Sequence, residues 1–108
     1  MATYKPTQEM ARNAQRGLKM RERQSPSNRG GTSVGLQRAN QFAKRENVSL
    51  DTVKRTYSFL MRARVYYDPS TDSKGTQAYL LWGGIPGIAW ARNILKSEGL
   101  LRKVYGKV

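Results

Sequence analysis

Residues 39–58, ANQFAKRENVSLDTVKRTYS, predict two short helices joined by a tight turn. Ala43 is a small residue in the last turn of the first helix, where it would let the second helix cross closely. Asn47 tolerates the left-handed backbone that a sharp turn requires, and Val48 then fills the corner. Ser49 is a good N-cap for the second helix. This arrangement is typical of the helix-turn-helix of DNA-binding proteins.

The second helix of this pair is predicted to be amphipathic and to end near Arg62 or Arg64. Its buried face repeats at helical spacing and consists of Leu50, Val53, Tyr57 and Leu60. Its outward face is polar and mostly basic, as in a recognition helix that enters a major groove, and consists of Asp51, Thr52, Lys54, Arg55 and Ser58.

The same pattern has an alternative interpretation, since many all-helical domains contain two helices with a polar corner and never bind DNA. Glu46 is polar where such motifs often carry an apolar residue, and Thr56 is a weak core residue. The composition of the chain therefore has to support the DNA-binding interpretation.

The composition indicates a small, strongly basic domain. The chain has 108 residues and a hydrophobic fraction of only 38%, so we expect one domain with a modest core. Its formal net charge is +13, from 20 Lys and Arg against 7 Asp and Glu. This charge favours a polyanionic partner, with nucleic acid first and an anionic membrane surface or an acidic protein second. No apolar run approaches a spanning helix, and no signal peptide is evident, so we expect a protein that is neither secreted nor membrane-spanning.

The sequence contains no Cys and no His, which excludes disulfides, thiolate nucleophiles, zinc sites of the usual ligand types and the commonest general base. Asp68 and Asp72 are the only close pair of acids. The surrounding Pro, Ser and Gly residues explain them as a turn, with a metal site as the alternative. We therefore predict no enzyme activity, no cofactor and no metal.

The first 31 residues are predicted to form a basic helix followed by a Gly-rich linker. Thr7 can cap a helix over residues 8–23, in which Gly17 is expected to cause a kink or fraying. One face is apolar, with Met10, Ala14 and Leu18. The opposite face could be an ordinary solvated surface or an arm that contacts phosphates, and carries Arg12, Arg16, Lys19 and Arg23.

The linker, residues 24–31, has the sequence QSPSNRGG, and two interpretations of it stay open. It is either a flexible joint or an exposed loop in which Arg29 and backbone N–H groups approach a phosphate. The next helix is predicted from a cap at Thr32 or Ser33 to about Glu46. Its apolar positions are Val34, Leu36, Ala39, Phe42 and Ala43, and its outward cations are Arg38, Lys44 and Arg45.

The C-terminal part is predicted to contain a loop and two more helices. Residues 65–75 interrupt the helical pattern, with a short extended segment at residues 65–67. Its two adjacent tyrosines either edge a small core or stack on bases. Helices are expected over residues 76–82 and from about residue 85 to a C-cap at Gly99, with Trp82 and Trp90 as core residues at the corner.

Several separated motifs in this chain resemble a small basic domain of tailed bacteriophages, found alone or attached to head-morphogenesis proteins. The motifs are RGGTSVG, NVSLDTVKRTYSF and LWGG followed by AWA, and the resemblance extends over residues 4–91. The positions that match are Gly30, Gly31, Thr32, Gly35, Ser49, Asp51, Thr52, Val53, Lys54, Arg55, Trp82, Gly83, Gly84, Gly87 and Trp90. The chain departs from the pattern in a shorter, less acidic loop at residues 68–75, and in Ile85 and Ile88, where Asp and Arg are expected. The resemblance implies a phage setting and no particular mechanism.

These observations predict an all-α domain of four to five helices that contains a helix-turn-helix at residues 39–58. We expect a basic helix and linker at residues 1–31, a helical domain at residues 32–99 and a basic tail at residues 100–108. The predicted nucleic-acid contacts are Arg29, Arg38, Lys44, Arg45, Thr52, Lys54, Arg55, Ser58, Arg62 and Arg64, with a basic arm at Arg12, Arg16, Lys19 and Arg23.

The leading functional hypothesis is a phage-encoded protein that binds duplex DNA mainly through phosphates, with low sequence specificity, in the host cytoplasm or nucleoid or inside the virion. The alternative is a head-associated virion component or a protein that binds a host complex. In that case the basic surface meets packaged DNA or an acidic protein, and Ile85, Ile88 and the C-terminal tail contact a protein partner.

Overall fold

The computed structural model describes residues 2–101 and shows an all-helical protein. Its α-helices are α1 (Gln8–Glu22), α2 (Ser33–Ala43), α3 (Leu50–Ala63), α4 (Lys74–Leu81) and α5 (Gly84–Ser97). Short 3₁₀ turns occur at Pro26–Asn28 and Arg64–Tyr66. Within the described residues there is no strand, and a single antiparallel bridge joins Tyr4 to Val48. The prediction of an all-α fold with four to five helices is confirmed.

Local capping explains where four of these helices begin. Thr7, Thr32, Ser49 and Ser73 each accept a hydrogen bond from the backbone N–H three residues ahead. Such side chains satisfy donors that the first turn of a helix leaves unpaired. Because Ser73 is a cap, α4 begins at Lys74, two residues before the predicted start.

Helix α1 is a central element of the core and not a separate arm. It packs against α2, α4 and α5, and Met10 and Ala14 are fully buried. Gly17 does not end α1 or fray it, since the helix continues to Glu22. A Cβ at Gly17 would lie 2.9 Å from the backbone N of Leu81, so the glycine permits α1 and α4 to cross closely. Helix α1 therefore packs directly on the helices of the domain predicted for residues 32–99.

The segment predicted as a linker is tied to α4. Gly30 is buried, and its N–H donates to Oε1 of Gln77 over 2.8 Å. The Nε2 group of Gln77 donates to the carbonyls of Asn28 at 3.1 Å and Asp72 at 2.7 Å. A single buried side chain thus connects residues 28–30 with the loop before α4.

The turn between α2 and α3 differs in detail from the prediction. Helix α2 ends at Ala43, three residues before the predicted Glu46, and the left-handed residue is Arg45, with φ of 53°, instead of Asn47. Val48 is buried, as predicted, and pairs with Tyr4. The two helices pack mainly on different partners, α2 on α1 and α4, and α3 on α5.

The core between the five helices contains several aromatic contacts. The ring of Phe42 meets Trp90 edge to face at 6.0 Å, and Trp90 Nε1 donates to the carbonyl of Lys5 at 2.9 Å. Trp82 and Trp90 are both buried, which confirms their predicted core role. Thr56, expected to be a weak core residue, is fully buried, and its hydroxyl is satisfied there by donating to the carbonyl of Thr52 at 2.8 Å.

The region after α3 is a 3₁₀ turn and a loop, so the predicted extended segment at residues 65–67 is wrong. Asp68 accepts hydrogen bonds from the N–H and hydroxyl of Ser70, which accounts for this acid by turn geometry. Gly99, at φ of +70°, follows the last turn of α5 as predicted. Leu100 and Leu101 pack against the core, and residues 102–108 of the predicted tail lie outside the described residues.

Candidate nucleic-acid interface

A shallow basic groove of about 550 Å³ lies between the start of α2 and the outer face of α3. Its lining residues come from α2, α3 and the end of α4, and are Val34, Lys54, Arg55, Ser58, Phe59, Arg62 and Trp82. We call this surface the α3 groove. Residues 54, 55, 58 and 62 share one side of α3 because they are spaced by about one or two helical turns. Val53, Tyr57 and Leu60 point into the core and fix the rotation of the helix.

At the start of α3, several basic side chains lie close to one carboxylate, that of Asp51. Arg55 Nε donates to Oδ2 of Asp51 over 2.8 Å, in an exposed pair one turn apart. This hydrogen bond, followed by the charge of Arg55, lowers the pKa of the Asp51 carboxyl below its ordinary value. The charges of Lys54 and Arg38 lower this pKa further. Cations from both α2 and α3 are therefore close enough to Asp51 to act on it.

The other end of the α3 groove is held by a second local contact. Arg62 Nη1 donates to the hydroxyl of Ser58 over 2.6 Å. This bond directs the guanidinium along the helix surface while the residue stays exposed. A guanidinium retains several further N–H donors in this position, and these suit the oxygens of a phosphate.

The floor of the α3 groove is aromatic. Phe59 stacks on Trp82 with ring centroids 4.9 Å apart and an interplanar angle of 22°. Trp82 in turn lies against the first turn of α2, where a Cβ at Gly35 would be 3.2 Å from its Nε1. The lack of a side chain at Gly35 lets α2 approach the indole and close one side of the groove.

The structure brings several predicted contacts together and leaves others apart. Lys54, Arg55, Ser58 and Arg62 line the α3 groove, and Arg38 acts on Asp51 beside it. Lys44 and Arg64 are exposed at the end of α2 and in the 3₁₀ turn after α3. The exposed face of α1 carries Arg12, Arg16, Lys19 and Arg23.

One predicted contact, Thr52, is corrected by its burial, and two others, Arg29 and Arg45, stay predictions although each donates to backbone carbonyls. Thr52 is buried and not outward, since its N–H and hydroxyl both meet the Ser49 hydroxyl that caps α3. Arg29 donates to the backbone carbonyls of Gln24 and Glu22, so its guanidinium satisfies acceptors at the C-terminal end of α1. Arg45 Nε donates to the carbonyl of Pro6 at 2.9 Å.

Sequence reasoning missed the apolar residues of the α3 groove. Val34, predicted as a core position of α2, is 45% exposed at the rim. Phe59 follows Ser58 directly, so its helical position gave a signal that it borders the basic face. The contact of Trp82 with the start of α2 joins distant parts of the chain, and no local pattern predicts it.

None of the helices within residues 2–101 has the length and apolar character needed to cross a membrane. The same residues contain no group of three or more metal-ligating side chains of the His, Cys, Asp and Glu types. A scan against protein families, a search of curated proteins and a search of solved structures found no match.

Proposed function

We propose that the protein binds duplex DNA through the α3 groove, mainly by phosphate contacts and with low sequence specificity. The observation that carries the proposal is the convergence of exposed Arg55 and Arg62 and half-buried Lys54 on one side of α3, in a chain of net charge +13. A cationic surface of this kind binds the DNA backbone with release of counterions. The resemblance to a phage domain supports a phage setting, with the protein acting on DNA in the host or in the virion.

The low specificity follows from the way the polar groups on α3 are held. The guanidinium of Arg55 is engaged by Asp51, and the Ser58 hydroxyl accepts from Arg62. Groups engaged by their neighbours have fewer donors and acceptors left for base edges, while their charge still attracts phosphate. Helix α3 then acts as the recognition-type helix of the predicted pair, with the exposed cations of α1 as additional phosphate contacts.

The proposal is tested by replacing Lys54 and Arg55 together with Ala and measuring the Kd for a random-sequence duplex. We expect affinity to fall by about 5- to 150-fold, the range for side chains that contact bases or phosphates. The control variant, Lys5→Ala with Lys96→Ala, removes the same charge from exposed positions outside the groove. Equal losses in both variants, or an unchanged affinity in the first, would rule out the α3 groove as the interface.

A second candidate function is that of a virion component or a protein that binds a host complex. Ile85, at the start of α5, is 61% exposed and supports an apolar protein contact. Ile88 is half buried against the core, so Ile85 is the more accessible of the two predicted contacts. Finding the protein in stoichiometric amount in purified particles would favour this function, and its absence there together with tight DNA binding would oppose it.

A further inference from the structure

A second, smaller pocket adjoins the α3 groove. It has a volume of about 240 Å³ and is lined by Phe59, Arg62, Ala63, Tyr66, Gly75 and Ala78. Phe59 and Arg62 also line the α3 groove, so the two depressions meet at these side chains. The basic surface thus leads directly to an aromatic and apolar recess, which we call the Tyr66 pocket.

The aromatic ring at the rim of this pocket is exposed on a fixed backbone. Tyr66 is 69% exposed and ends the 3₁₀ turn Arg64–Tyr66. A Cβ at Gly75 would lie 2.7 Å from the Cβ of Tyr66 and 2.8 Å from its carbonyl oxygen, so the backbone there packs tightly on the start of α4. The next residue, Tyr67, stacks on Tyr79 at 4.7 Å. The ring of Tyr66 therefore projects from an anchored turn.

We propose that the Tyr66 pocket receives an unpaired nucleobase, so that the protein binds single-stranded DNA with an additional contact that duplex DNA cannot make. This inference rests on the proposed function of the α3 groove. A base can stack on the ring of Tyr66 while Arg62, between the two depressions, binds the adjoining phosphate. The bases of a duplex are paired and stacked on each other, and reach such a pocket only when they leave the helix.

The chemistry of the pocket favours a nucleobase over other occupants. Its volume lies below the range of about 300 to 1,000 Å³ that is usual for drug-sized ligands, and so suits a single flat ring system. Ala63, Gly75 and Ala78 contribute small side chains or none, which leaves room for a ring between Tyr66 and Phe59. The cation at its entrance and the net charge of +13 complement a polyanionic strand.

The test compares the affinities of the full chain for a labelled oligothymidylate and a blunt duplex of the same length, measured by fluorescence anisotropy. The variants are Tyr66→Ala, Tyr66→Phe, which keeps the ring, and Val65→Ala, which shortens the exposed neighbour. We expect Tyr66→Ala to weaken single-strand binding by about 5- to 150-fold and to leave duplex binding within about twofold, as expected for loss of one base stack. Tyr66→Phe and Val65→Ala should retain single-strand affinity.

Two results would overturn the inference and leave the proposed function standing. One is full single-strand affinity in Tyr66→Ala, and the other is an equal loss on both probes, which would indicate that the ring contributes to the surface without taking a base. Absence of binding to either probe would overturn both this inference and the proposed function.

Discussion

Truncation of Gln77 to Ala is expected to destabilise the fold by about 3 kcal/mol. The side chain is fully buried and makes three hydrogen bonds, of 2.8 Å to the Gly30 N–H, 3.1 Å to the Asn28 carbonyl and 2.7 Å to the Asp72 carbonyl. Each bond contributes about 1 kcal/mol net, and the buried Gly30 N–H is left without a partner. Since domains of this size have unfolding free energies of about 5 to 15 kcal/mol, the variant should still fold.

Urea unfolding, followed by the fluorescence of the buried Trp82 and Trp90, measures this loss directly. With a slope of about 1.5 kcal/mol per M, the midpoint should fall by about 2 M. The control is Gln24→Ala, because Gln24 is only half buried and makes one long hydrogen bond of 3.5 Å to Asp72. It should change stability by less than about 0.5 kcal/mol. A loss of unfolding free energy below about 1 kcal/mol in Gln77→Ala would refute this reasoning. It would instead favour the prediction that residues 24–31 are a flexible linker.

Two further substitutions test the packing of α1 and the electrostatics of the α3 groove. Gly17→Ala should lower the unfolding free energy in urea by up to about 2 kcal/mol, because the cost of overpacking against Leu81, about 1 to 3 kcal/mol, exceeds the gain of about 1 kcal/mol in helix propensity. A stabilised variant would contradict the close crossing of α1 and α4. Asp51→Asn should tighten duplex binding by about 1.4- to 5-fold, since it removes the acid that engages Arg55, and weaker binding in a titration would count against the groove. The folded pKa of Asp51 lies below its ordinary value of 3.8, so its contribution to stability is present above that pH and is lost as the pH falls through the folded pKa. Urea midpoints measured at several acidic pH values should therefore decline less steeply in Asp51→Asn than in the unsubstituted protein, and identical slopes would contradict the shift.

Helix positions could be predicted because their signals are local. Thr7 and Ser49 are caps next to amphipathic repeats, and the buried face of α3 follows from the spacing of Val53, Tyr57 and Leu60. The same periodicity assigned Lys54 and Arg55 to the exposed side. A one-dimensional pattern is sufficient for such features, since the interacting residues lie within two turns of each other.

Two of the errors concern places where distant segments meet. Composition predicts a free linker around Gly30. It cannot show the hydrogen bond from Gly30 to Gln77, since the two residues are 47 positions apart in the chain. Helix propensity predicted weakness at Gly17, which instead accommodates the backbone of α4. Its position in the helix predicts Thr52 on the outward face, although the residue is buried and its hydroxyl meets that of the cap Ser49. The partners of Gly30 and Gly17 cannot be identified from local sequence, whereas Ser49 lies only three residues before Thr52.

The central claim is tested most directly by the salt dependence of duplex binding. A plot of log affinity against log salt should be linear, with a slope of about −0.9 for each phosphate contact. If Lys54 and Arg55 each neutralise a phosphate, replacing both with Ala should make the slope less negative by about 2, while the Lys5→Ala with Lys96→Ala control should keep the slope of the unsubstituted protein. The same slope for all three proteins, or no duplex binding at low salt, would contradict DNA binding through the α3 groove.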